Sequence, residues 1–144
     1  MGDIDLLVRR ADLGRVREIL VAAGYREVDR RRGFAEAYSY TLEFYSEGVA
    51  AVVVEPHWTI AYPPASGRLD MDRVWARCTP GTVLGVDCLS LGAEDLLLHL
   101  VLHAAHAGST APLLWFYEIG RLVRLERDTL AWPGFASSAR QAGV

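Results

Sequence analysis

Two aspartates near the start of the chain, Asp3 and Asp5, stand one residue apart in the stretch Asp3-Ile4-Asp5-Leu6-Leu7-Val8. In an extended strand, residues i and i+2 project from the same face. Adjacent carboxylates repel unless a cation binds between them or one takes up a proton. Paired carboxylates on a strand suit Mg²⁺, which prefers oxygen ligands and keeps water and substrate phosphates in its other positions. The same pair also reads as a solvated strand end. A third acid, Glu55, closes the run Val52-Val53-Val54-Glu55, just before Pro56-His57-Trp58. An unpaired buried charge is costly, so a carboxylate at the end of so apolar a strand calls for a partner. If that strand lies beside the first, Asp3, Asp5 and Glu55 form one cluster. Three carboxylates on neighbouring strands are what a two-metal phosphoryl-transfer site uses.

A second constellation lies in Leu96–His106, where His99 and His103 are spaced i, i+4 and His103 and His106 are spaced i, i+3. On a helix such a pair shares a face and allows an alternative reading, a zinc hydrolase. The glutamate of an H-E-x-x-H motif is missing, since Leu100 follows His99. The surrounding leucines make the segment apolar nearly all round. The histidines are therefore expected to pack in a buried helix. Cys78 and Cys88 lack the C-x-x-C spacing of a cysteine zinc site. Lysine does not occur, which excludes a lysine Schiff base and leaves arginine as the side-chain cation for any phosphate. Arg9 and Arg10, and the run Arg30-Arg31-Arg32, read either as solvated surface or as contacts to phosphate or an acidic partner. Trp115, Phe116 and Leu122 fit helix-packing positions.

The elements that must position these groups follow from periodicity. Residues 3–9 read as a strand. Residues 11–23 read as an amphipathic helix on Leu13, Val16, Ile19 and Leu20, with Asp12 as N-cap and Gly24 at its end. A short strand is expected at 25–29. Strands at 37–45 and 49–55 follow, joined by Ser46-Glu47-Gly48 as a hairpin. Prolines at 56, 63 and 64 then break the chain into loop. A short helix at 70–77, a small hairpin or extended segment at 80–91, helices at 93–107 and 112–127, and a last helix from about Pro133 complete the pattern. Strands come first and helices last, so the fold class is α+β, a mixed sheet with flanking helices and a helical C-terminal part. The expected division is a core at 1–91 and a helical region at 92–144.

With 144 residues, 51% of them hydrophobic and 23% charged, the chain can bury a real core. A net charge of −3 argues against binding long nucleic acid by bulk electrostatics. No run reaches the roughly 20 apolar residues of a membrane span. No basic stretch followed by an apolar one opens the chain, so a cytoplasmic location is expected.

Asp-Ile-Asp-Leu-Leu-Val, a helix ending in Gly24-Tyr25, Val53-Val54-Glu55-Pro56-His57-Trp58 and the helical segment from Ala93 to Arg124 occur here in one order. In this the chain resembles the uncharacterised nucleotidyltransferase family of the polymerase-β-like superfamily, over nearly its whole length. Pro56 stands where that family more usually has an aliphatic residue. The resemblance implies that Asp3, Asp5 and Glu55 bind metal, Mg²⁺ or Mn²⁺, and that Glu55 also accepts the proton of an attacking hydroxyl. It implies transfer of a nucleotidyl group from an NTP with release of pyrophosphate, or a non-catalytic binding or assembly module of the same fold. Gly2, Arg9 and His57 are the candidates for contacting the nucleotide. The superfamily's Gly-Ser turn, which seats the triphosphate on a helix N-terminus, is expected upstream of Met1. The acceptor and any oligomer are left open.

Overall fold

The computed structural model describes residues 3–29, 31, 33–47 and 51–144. Of the residues singled out above, Gly2, Arg30, Arg32, Gly48 and Val49 lie outside this set. The chain forms two compact units, Met1–Pro63 and Pro64–Val144.

The first unit is built on a four-stranded mixed sheet. Strand β1 (Ile4–Leu7) runs into a single 3-10 turn and then helix α1 (Leu13–Ala22). Gly24, at φ +90°, turns the chain out of the helix into β2 (Tyr25–Glu27). A left-handed conformation of this kind is cheap only for glycine. Asp12 does not cap α1 through its side chain, because the 3-10 turn Arg10–Asp12 already carries the entry to the helix.

The largest departure from the sequence pattern follows. Residues 37–45, expected as one strand, begin inside a short helix, α2 (Phe34–Tyr38). Gly33 enters it at φ +74°. Ala35 packs into the core with Leu13, Leu42, Phe44 and Trp58, while Glu36 reaches back to Arg17. These tertiary contacts outweigh the β propensity of the tyrosines. The strand proper, β3, is Phe44–Ser46, and β4 is Val53–His57. The sheet order is β1-β4-β3-β2, with β1 parallel to β4 and the other pairs antiparallel.

Strand β4 therefore runs through Pro56, where the sequence suggested a break. Proline in a central strand lacks one ladder donor. Leu42 N–H donates to the Pro56 carbonyl at 3.0 Å, but Pro56 cannot return the bond. The Thr41 hydroxyl lies 2.9 Å from the Leu42 carbonyl and takes over as its donor. The same hydroxyl lies 3.1 Å from the Pro56 carbonyl, and β4 continues to His57.

In the second unit, Asp70 caps α3 (Met71–Arg77) by accepting from Arg73 N–H at 3.2 Å. Strands β5 (Thr79–Val83) and β6 (Val86–Ser90) form a hairpin about Leu84 and Gly85, both at positive φ. Two central residues at positive φ define the tight turn that matches strand twist. Helices α4 (Ala93–Ala107), α5 (Leu113–Glu126) and α6 (Trp132–Ala142) follow. Asp95, 2% exposed, receives two bonds from Arg77, at 2.6 and 2.8 Å. That pair ties α3 to α4. Phe116, expected to pack, is 53% exposed on α5. Among the described residues no helix is long and apolar enough to cross a membrane.

Candidate metal and nucleotide site

Side chains alternate along β4. Val54 and Pro56 are buried, whereas Val53, Glu55 and His57 are half-buried on the opposite face. The parallel register sets Asp5 beside Glu55 and Leu7 beside His57. Residues paired in this way point to the same face, so two carboxylates fifty positions apart in sequence become neighbours. Asp3 precedes β1 by one residue, is exposed, and lies two residues from Asp5 along the chain.

His57 completes the group. Its Nε2 lies 3.0 Å from Asp5 Oδ1 and 3.5 Å from Glu55 Oε2. An ionised carboxylate only accepts, so Nε2–H is the donor to Asp5. The ring is largely enclosed, 12% exposed, while the Glu55 side chain is 22% and Asp5 48% exposed. The Tyr40 ring lies 5.4 Å from the imidazole and 4.5 Å from Tyr62. Burial raises the Tyr40 phenol far above its usual value, with the hydrogen bond to Tyr62 and the charges of Glu55 and Asp5 adding to it. Tyr40 therefore stays a neutral phenol at any physiological pH.

The electrostatics of Glu55 are those of an acid short of positive charge. Burial pushes its carboxyl above the ordinary range, and the charge of Asp3 pushes the same way. His57 opposes the shift, while Asp5 and Glu43 add to it. Glu43 was not evident from the sequence pattern. Continuing the antiparallel register of Phe44 with Val54 by one residue sets Glu43 opposite Glu55. No short motif marks it, and only the pairing of β3 with β4 brings it in.

The donor set fits a divalent cation. One ligand atom each from Asp5, Glu55 and His57 lies within 4.8 Å of the other two. The carboxylates carry mutual repulsion that a bound cation relieves. Arg9 stands beyond the opposite end of β1, up to about 13 Å along the chain from Asp5 at the usual strand rise, and is exposed. Arg31, the described member of the arginine run, is held by Asp29 at 2.8 Å and lies over the Phe34 ring at 3.6 Å.

The helical histidines have a different environment. The His99 and His103 rings meet edge to face at 5.5 Å, and His103 meets Trp115 the same way at 4.5 Å. Among the described residues, the cluster of three metal-ligating side chains is Asp5, Glu55 and His57, and it includes neither of them.

A mixed sheet that aligns an acid on its first strand with an acid on a parallel neighbour, flanked by helices, is consistent with a nucleotidyltransferase-like α+β protein. The chain belongs to the uncharacterised nucleotidyltransferase family, whose sequence model matches residues 1–144. No curated protein and no solved structure matches it significantly. Family membership supports a general nucleotidyltransferase-like role, and with it a nucleotide substrate and a divalent metal as the classes of ligand.

Proposed function

We propose that this chain transfers a nucleotidyl group from an NTP to an acceptor hydroxyl, at a site formed by Asp3, Asp5 and Glu55. The observation that carries this reading is the registration of Asp5 with Glu55 across a parallel strand pair. A divalent cation, Mg²⁺ or Mn²⁺, would supply charge neutralisation at the triphosphate and the leaving pyrophosphate. The chain's own groups do the rest. Asp3, Asp5 and Glu55 hold the cation. Glu55, whose carboxyl favours a proton more than an ordinary glutamate does, accepts the proton of the acceptor hydroxyl. The acceptor oxygen bonds to the α-phosphorus as the bond to pyrophosphate breaks. Arg9 is a candidate phosphate contact. Gly2 lies outside the described residues.

The test is direct. The chain is incubated with each α-labelled NTP and Mg²⁺ or Mn²⁺, and NTP-dependent thermal stabilisation is recorded in parallel. Transfer of label, or pyrophosphate release, that disappears in Asp5→Asn and Glu55→Gln supports the enzyme. Cation-dependent NTP stabilisation without pyrophosphate release makes the chain a binding module of the same fold. No NTP- and cation-dependent stabilisation ends both readings.

A further inference from the structure

We propose that His57 is a direct ligand of the cation at this site, and that its nitrogen makes the site prefer first-row transition ions to Mg²⁺. This rests on the reading above that the acid face binds a divalent cation. A site made of carboxylates alone favours a hard ion, since Mg²⁺ takes oxygen ligands in near-ideal octahedral geometry. The geometry here is different. The nitrogen that faces the carboxylates is Nε2, at 3.0 and 3.5 Å from their oxygens. A cation drawn between Asp5 and Glu55 meets that atom within the same 4.8 Å cluster.

Three features hold the imidazole there. His57 lies in β4 itself, next to Leu7 in the parallel register, and its carbonyl accepts a 2.8 Å bond from Val8 N–H. The Tyr40 ring lies 5.4 Å from it. The side chain is nearly enclosed, at 12% exposure. Swinging the ring away would expose an apolar edge and open a gap beside Tyr40. Binding through Nε2 needs only a change of tautomer, with the ring proton carried on Nδ1. Imidazole suits first-row transition ions, and carboxylates suit Mg²⁺ and Mn²⁺ alike. An imidazole added to the carboxylates of Asp5 and Glu55, with or without Asp3 as a further ligand, therefore binds Mn²⁺ better than Mg²⁺. Mn²⁺ is the weakest binder of the transition series. It is the most demanding probe of the preference, and it is paramagnetic.

The experiment titrates the full chain with Mn²⁺ by electron paramagnetic resonance, competes it with Mg²⁺, and records pulsed spectra for ¹⁴N coupling. Removing an outer-sphere partner of a metal ligand costs about 10–100-fold in affinity, so a ligand nitrogen should be worth at least the lower figure. Since Mg²⁺ gains little from a nitrogen donor, displacing half the Mn²⁺ should need an excess of Mg²⁺ of about tenfold or more. The wild-type spectrum should show one ¹⁴N coupling, absent in His57→Ala, where Mg²⁺ competes near parity. Parity in the wild type, a bound Mn²⁺ without ¹⁴N coupling, or a coupling that persists in His57→Ala overturns the inference and leaves a carboxylate cation site standing. The wild-type spectrum needs no variant to fold. Absence of any bound Mn²⁺ removes both the inference and the cation of the proposed reaction. Mn²⁺ bound through His57 with no use of any NTP upholds the inference and removes the reaction.

Discussion

Two groups of acids in the first unit have opposite electrostatics. Around Arg17, the guanidinium bonds to both oxygens of Glu27 at 3.0 Å and to Glu36 at 2.6 Å. Those bonds raise the already high affinity of Arg17 for its proton and hold the Glu36 carboxyl below its usual range. On the other face of the sheet, burial and neighbouring carboxylates push Glu55 up. The first group carries its own cation and is structural. The second accumulates negative charge on two paired strands, and on the proposed reading a divalent cation completes it. Asp95, held by Arg77, belongs with the first kind. The difference teaches that a count of acids does not locate a site, whereas the sign of their shared field does.

The comparison can be broken at several points. The largest effect is expected where a buried carboxylate loses its arginine. Arg77→Met leaves Asp95 in the protein interior without a counter-charge and should cost about 3 kcal/mol, read as a lower urea midpoint with an unchanged slope. The second test adds the cation of the proposed reaction. At a concentration of ion about 100 times its dissociation constant, the wild type should gain about 2.7 kcal/mol, while Glu55→Gln gains almost none. Without the ion, Glu55→Gln should melt higher than the wild type, because it removes a disfavoured buried charge. A lower melting point there would show that Glu55 is a compensated structural acid like Glu36.

Arg17→Met should cost about 2 kcal/mol, less than for Arg77 because Glu27 and Glu36 remain partly hydrated. The smallest effect is the pH profile, in which the two acids act with opposite signs. Glu36, depressed in the folded state, stabilises fully above the unfolded glutamate value of about 4.3 and loses this as pH falls through its folded value. Glu55, raised in the folded state, disfavours folding increasingly as pH climbs from about 4.3 through its folded value. Unfolding midpoints measured from pH 3 to 7 should therefore lose an acid-side decline in Glu36→Gln, and lose a decline with rising pH in Glu55→Gln. Two variants with profiles of the same sign would erase the distinction.

Asp5 and Glu55 of the candidate cluster were legible in the chain as unusual acids. The two-residue period of a strand is a local property, so spacing alone singles out Asp3 and Asp5, although β1 begins at Ile4 and Asp3 lies just outside it. Glu55 stood out because a carboxylate ends an apolar run. The three C-terminal helices were equally plain, since apolar residues at helical spacing and the glycines that end such runs act within a turn or two. The helix at Phe34–Tyr38 was not legible, because Ala35 and Glu36 are recruited by Leu13 and Arg17 from a distant part of the chain. Nor was the passage of β4 through Pro56, where the Thr41 hydroxyl, fifteen residues away, meets the strand.

The sequence by itself determined which acids this protein has to offer and that Asp5 and Glu55 sit on strands. Only the tertiary structure decided their company. The parallel register of β1 with β4 brought Asp5 to Glu55, the strand's extension through Pro56 turned the His57 nitrogen onto both, and the register of β3 added Glu43. Register is a contest among distant side chains for one buried face. A shift of one residue would turn every one of these groups to the other side of the sheet, and no local spacing records the outcome.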